Sequence, residues 1–416
     1  MAYSADMISA RFVFVLSMVG VLAGGCGSEP LDLSRPGSIP QIATPAGDGS
    51  GEPNLSIDEN GTVFLSWIEP AGEDADRLSF AVLDPGSGEW STSRSVAEGS
   101  NWFVNWADFP SVIPMSDDRL AAHWLAKTGP DTYAYGVNVS LSDDGGDTWG
   151  EPIVPHVDGT ETEHGFVSML PMADGSVSAV WLDGREMAGP DGSGDMTLRH
   201  GFIRPDGSVD SGTLLDARVC ECCQTSAARI PDGQLVVYRD RSEAEIRDIS
   251  IISHRDGKWS DPRVLSNDGW EIYGCPVNGP SISADENRVA VSWFTGANAE
   301  PAVWLVLSDD SGETFEDPIR IDNGNPLGRV KVLMLPSSTF VIWMEQTDEG
   351  AQVQLGQLDR RGTLVGSWVV ADTSESRSSG FPQLVGDSER VVLAWTDTGR
   401  PSTIRTAVIS LQGYSD

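Results

Sequence analysis

A chain of 416 residues that is 39% apolar and 21% charged can build a core, which excludes wholesale disorder. Its 27 basic against 62 acidic residues leave a formal charge of −35, which argues against nucleic acid or an anionic lipid surface as the general partner. The 45 glycines and 25 prolines are spread along the chain, as expected of many short strands joined by turns.

In chain order the first element is an apolar run over residues 12–22, behind Arg11. It is too short to cross a bilayer and suits the core of a signal peptide. The run ends at Leu22, Ala23, Gly24, Gly25 and Cys26, which resembles the bacterial lipobox with Leu one residue farther out than usual. The resemblance implies a lipoprotein signal peptide over residues 1–25 and a lipidated Cys26. A tether over 26–37 and a folded domain over 38–416 would follow. The chain would then be held at the bacterial cell envelope, meeting the membrane through its lipid only. A plain secretory signal is the alternative.

The body repeats. Trp67, Trp124, Trp181, Tyr238, Trp293, Trp343 and Trp395 recur at steps of 57, 57, 57, 55, 50 and 52 residues. Each closes the same pattern of an alternating apolar strand, a tight polar turn and a second apolar strand. A third strand, a Gly-rich turn and a weaker fourth strand follow. Four strands per unit at this period predict an all-β fold, a β-propeller. Seven units are counted, six being the alternative. The seventh lacks its fourth strand, and residues 39–43 are expected to supply it and close the ring.

Two of the turns after third strands carry a family resemblance. Ser142, Asp144, Gly146, Thr148 and Trp149 match the Asp-box of the sialidase superfamily, and Ser308, Asp310, Gly312, Thr314 and Phe315 form a second copy with Phe for Trp. Serine and aspartate side chains satisfy turn amides there and glycine supplies positive φ, so the motif specifies a fold more than a chemistry.

Strand order puts these turns on one face, called lower. The loops leading into first strands, and those after the repeated aromatics, share the opposite, upper face, where ligands are expected. That face collects Cys220, Cys222, Cys223 and Cys275, with His164, Asp108, Asn278 and the aromatic pair Trp102 and Trp106. In an oxidising envelope the four cysteines read as two disulfides, with Cys275 stapling neighbouring units or Cys222 and Cys223 forming a vicinal bridge. The sharper alternative is a soft-metal site for copper or zinc on these cysteines with His164.

The sialidase resemblance implies an arginine clamp on a carboxylate, a Tyr–Glu nucleophile pair and an Asp acid/base. Arg185 matches the arginine of the family's E-G-R turn, and Arg241 and Arg329 are placed to complete a triad. Asp183 and Asp191 stand as acid/base candidates and Tyr273 as the nearest nucleophile candidate, but no Tyr–Glu pair is identifiable. Trp102 or Trp106 would be a stacking wall, with Asp108 and Asn278 as further ligand-binding residues. The expected function is binding of a small anionic molecule or glycan by a monomer, with exo-sialidase-like glycoside hydrolysis as the activity if it is an enzyme. The alternatives are a non-enzymatic metal or redox module built on the cysteines, and an interaction scaffold.

Overall fold

The computed structural model describes residues 39–189 and 193–411. The expected signal peptide, Cys26, the whole tether and Asp191 lie outside them. Seven antiparallel sheets form a ring of blades. Blade 1 holds Gly51–Ile57, Val63–Pro70, Asp76–Leu83 and Arg94–Gly99. Blades 3, 5 and 6 repeat this order. In blade 2 the fourth strand shrinks to a bridge between Val139 and Ile153, and in blade 4 it splits into Lys258–Trp259 and Arg263–Val264.

Blade 7 closes the ring. Gln41–Ile42 pairs antiparallel with Thr403–Ser410, Gln41 facing Ala407 and Ile42 facing Thr406. The last blade thus takes its outer strand from the start of the domain, which ties the two ends of the chain together and covers an edge that would otherwise stand open.

Burial follows strand position. Second strands are flanked on both faces by neighbouring blades, so even their polar residues are covered; Val177–Asp183 is buried at every residue, Ser178 included. Among the described residues there is no single central core. The apolar residues divide into seven clusters, one per seam between blades. One joins Phe64, Leu78 and Phe80 of blade 1 to Val112, Leu120 and Trp124 of blade 2. Another joins Val385, Val392 and Ile404 of blade 7 to Leu55, Val63 and Trp67 of blade 1. The repeated aromatics sit in these seams, Trp67, Trp181, Tyr238, Trp293 and Trp343 at 0% exposure.

A buried indole N–H needs an acceptor, and an acid two residues on supplies it in three blades. Trp67 donates to Glu69, Trp181 to Asp183 and Trp343 to Glu345. The two Asp-box turns fold alike. The Gly146 amide donates to Ser142 Oγ at 2.9 Å and the Gly312 amide to Ser308 Oγ at 3.0 Å. Thr148 and Thr314 each donate their hydroxyl to the box aspartate at 2.6 Å.

Candidate functional site

The upper rim over blades 3 and 4 gathers the densest set of ionisable side chains. His164 opens the first strand of blade 3, and Asp183 ends the second strand opposite it. Asp183 is fully buried and saturated: it accepts from the Trp181 indole, from the Arg185 amide and from two guanidinium nitrogens of Arg185 at 2.7 Å. It belongs to the indole-acid pattern of Glu69 and Glu345, so it positions Arg185 and presents no free oxygen to a substrate. Arg185 also lies 3.4 Å from Asp158, with its side chain 20% exposed.

His164 Nδ1 faces the Thr162 carbonyl at 3.0 Å and Nε2 faces Asp158 at 2.9 Å. His156 stacks on it at 3.9 Å. Burial and the neighbouring His164 charge push the His156 imidazole down to about 3, and its Nε2 accepts the Val137 amide. His156, Asp158 and His164 offer ligand atoms within 4.8 Å of one another. Their hydrogen bonds and the Arg185 charge already satisfy them, so no cation is needed to explain the cluster.

Beside His164 stands a chain of three groups, of which sequence reading named Asp108 and missed Tyr135 and Glu163. Tyr135 hydroxyl lies 2.7 Å from Glu163 and 3.0 Å from Asp108. One phenol proton serves one carboxylate, so the second carboxyl must bring its own proton. Burial pushes Asp108 up to about 7 against its hydrogen bonds from the Phe166 amide and Tyr135. Burial first, then the Asp108, Glu221 and Cys220 charges, raise Glu163 to about 8 despite the Tyr135 hydrogen bond. Gly165 makes the approach possible: a Cβ there would stand 2.0 Å from Asp108 Oδ2 and 2.8 Å from the Tyr135 ring. Of the three, Glu163 alone is half-exposed. Its place directly before His164 was the one signal available; nothing local marks Tyr135, at the start of a third strand in another blade.

In the next blade, Arg241 is held by Glu245 at 2.6 Å, by Glu221, and by Asp195 at 3.7 Å, while Arg218 pairs with Asp195 at 2.9 Å. Arg247 bridges Glu221 at 2.6 Å and Glu245 at 3.0 Å. Cys222 and Cys275 form a disulfide that joins the loops leading into blades 4 and 5. This is the inter-unit staple and not the vicinal bridge. It takes two thiols out of the five-residue metal set expected with His164, and His164 pairs with Asp158. Cys220 and Cys223 remain unpaired and buried.

Other expected site residues are placed elsewhere. Arg329 is buried and points inward; it donates to the carbonyls of Glu375, Ser376 and Gly380 and lies over Trp106 at 4.7 Å. Arg185, Arg241 and Arg329 therefore do not converge on one anion. Asp108 and Asn278 are equivalent inter-blade clasps, Asp108 accepting the Phe166 amide and Asn278 the Arg329 amide, both at 2.7 Å. Trp102 stacks on Trp124, and Trp106 on Phe381, each at 5.8 Å, so both are seam packing. Tyr273 is 80% exposed with Glu271 as its hydrogen-bond partner, far more open than a pocket nucleophile requires.

No protein-family profile matches the chain, and no curated protein matches it. Among solved structures, an ulvan lyase of polysaccharide lyase family PL25 matches with a TM-score of 0.60 at 11% identity, over 89% of this chain and 96% of its own. A structure of ulvan lyase PL25 bound to -[GlcA(1-4)Rha3S]- gives 0.56 at 11% identity over the same shares. The phage phi92 endosialidase gives 0.49 at 10% identity, over 91% of this chain and 69% of its own. At these identities the likeness is one of fold, the propeller being shared with glycan-processing enzymes.

Proposed function

We propose that this chain binds a glycan on the upper face over blades 3 and 4 and cleaves it by acid–base chemistry, with Glu163 supplying the proton. The observation that carries the reading is a half-exposed carboxyl raised to about 8, hydrogen-bonded at 2.7 Å to a buried phenol. At neutral pH it holds its proton and can deliver it to a leaving oxygen. Asp158 on the same rim is held the other way. Burial alone would raise it, but Thr160 hydrogen bonds and the His164 and Arg185 charges outweigh burial and keep it ionised. The two carboxyls are thus held in opposite protonation states, Asp158 holding His164 and Arg185 in place and Glu163 keeping a proton to give. Arg185 is the cationic group beside Asp158 on that rim, suited to orienting an acidic or hydroxyl-rich sugar. The propeller shared with an ulvan lyase supports a polysaccharide as the class of ligand.

The test is a panel of acidic and neutral polysaccharides, scored for new reducing ends and for binding. Cleavage of at least one is expected, with Glu163→Gln lowering the rate by about 100-fold or more while binding persists. A Glu163→Gln protein as fast as the wild type removes the residue from the chemistry. Binding to no glycan in the panel removes the reading.

A further inference from the structure

The four cysteines of the described residues are graded in depth at the seam of blades 4 and 5. Cys275 is exposed, Cys222 is half-buried, and Cys220 and Cys223 are buried. The upper pair is the disulfide. Beneath it the two thiol sulfurs lie 2.7 Å apart, and Cys220 Sγ stands 4.0 Å from Cys222 Sγ. Buried Arg247 donates to Cys220 Sγ at 3.4 Å. The staple between blades is already made by Cys222 and Cys275, so stapling does not account for the dithiol below it.

We propose that these four residues form a thiol–disulfide relay that moves the oxidised bond from the exposed Cys222–Cys275 bridge to the buried Cys220–Cys223 pair. In the first step Cys220 thiolate attacks Cys222 Sγ. A Cys220–Cys222 bond forms, the Cys222–Cys275 bond breaks, and Cys275 leaves as a thiolate that takes a proton from water. In the second, the Cys223 sulfur attacks Cys220 Sγ. A Cys220–Cys223 bond forms, and Cys222 leaves with the proton that Cys223 gives up. No electrons are gained or lost, so no oxidant is consumed. An external low-molecular-weight disulfide then reoxidises the exposed Cys222 and Cys275 thiols, being reduced itself to two thiols.

The surroundings assign the roles. Cys220 Sγ is the thiol sulfur 4.0 Å from Cys222 Sγ, and its burial is outweighed by hydrogen bonds from Cys223 and the Cys222 amide, with the Arg239 and Arg247 charges, which hold it below its ordinary value. Burial and the Cys220 neighbour push Cys223 up. Cys220 is therefore the attacking sulfur and Cys223 the resolving one. The inference stands apart from the glycan reading, and its test uses no glycan.

Full-length protein without reductant is incubated with a maleimide, quenched in acid and peptide-mapped. In the wild type Cys222 and Cys275 are expected to acquire label with time while Cys220 and Cys223 become linked. Cys223→Ser allows only the first step, so Cys275 is labelled with Cys220 linked to Cys222. Cys220→Ser removes the attacking sulfur, and Cys275 labelling falls to background. Unlabelled Cys275 in the wild type overturns the relay, as does equal labelling in Cys220→Ser. Zinc or copper retained by the native protein, with Cys220 and Cys223 protected by the metal, overturns it too.

Discussion

At the residue scale the decisive contacts are those that place protons. Asp108, Tyr135 and Glu163 meet from two loops and one strand start in two blades, and burial there lifts the two acids to about 7 and about 8. An acid whose folded value exceeds its unfolded value binds its proton more tightly when folded. That stabilisation is present in full below the unfolded value and is lost as pH rises through the folded one. Wild-type melting temperature is therefore expected to fall between about pH 6.5 and about pH 8, above the range in which buried His123, His156 and His200 act in the opposite sense. Asp108→Asn, which keeps the shape but cannot ionise, is expected to flatten that fall. Parallel melting curves for the two proteins across this window would show that Asp108 does not titrate there. Asp183 teaches the complementary point. From the sequence it reads as an acid/base candidate beside Arg185, yet its oxygens are consumed by Trp181 and Arg185, as Glu345 is consumed by Trp343.

At the scale of elements, the two faces use their charges differently. On the lower face, arginines bind the backbone of the next blade: Arg119 donates to the Gly175 carbonyl, Arg255 to Ser311, Arg288 to Leu335 and Arg390 to Gly61. These contacts join turns whose local order comes from Ser and Asp side chains. On the upper face, the join between blades 4 and 5 is covalent. The 53-residue separation of Cys222 and Cys275 gives a chain-entropy stabilisation of about 4 kcal/mol, measured engineered values running lower. Cys275→Ser is expected to lower the urea unfolding midpoint accordingly, by about 2–4 kcal/mol when converted with an unchanged slope. An unchanged midpoint would mean that seam packing alone holds the two blades.

For the whole molecule, stability is distributed over seven seams and depends on closure. A chain beginning at residue 44 loses the strand that pairs with Thr403–Ser410, which leaves an edge strand open to other chains. It is expected to unfold at lower urea and to associate in light-scattering measurements at concentrations where the longer chain does not. A truncated protein with the same midpoint and mass would show that the blade 7 to blade 1 seam suffices for closure.

The spacing of seven aromatics determined the ring, the number of blades and the borrowed closing strand, because each depends on a repeat that every unit writes out in its own residues. The same topology directed attention to the upper face and anticipated a bridge between Cys275 and the cysteines before blade 4. Which upper-face side chains remain available was decided only in the tertiary structure. Arg329 and Asn278 look like ligand groups in isolation, but neighbouring blades consume them, and Glu163 looks ordinary until Tyr135 and Asp108 arrive from blade 2. Burial and hydrogen-bond saturation are properties of the seam between two blades, and no single repeat encodes the partner that crosses it.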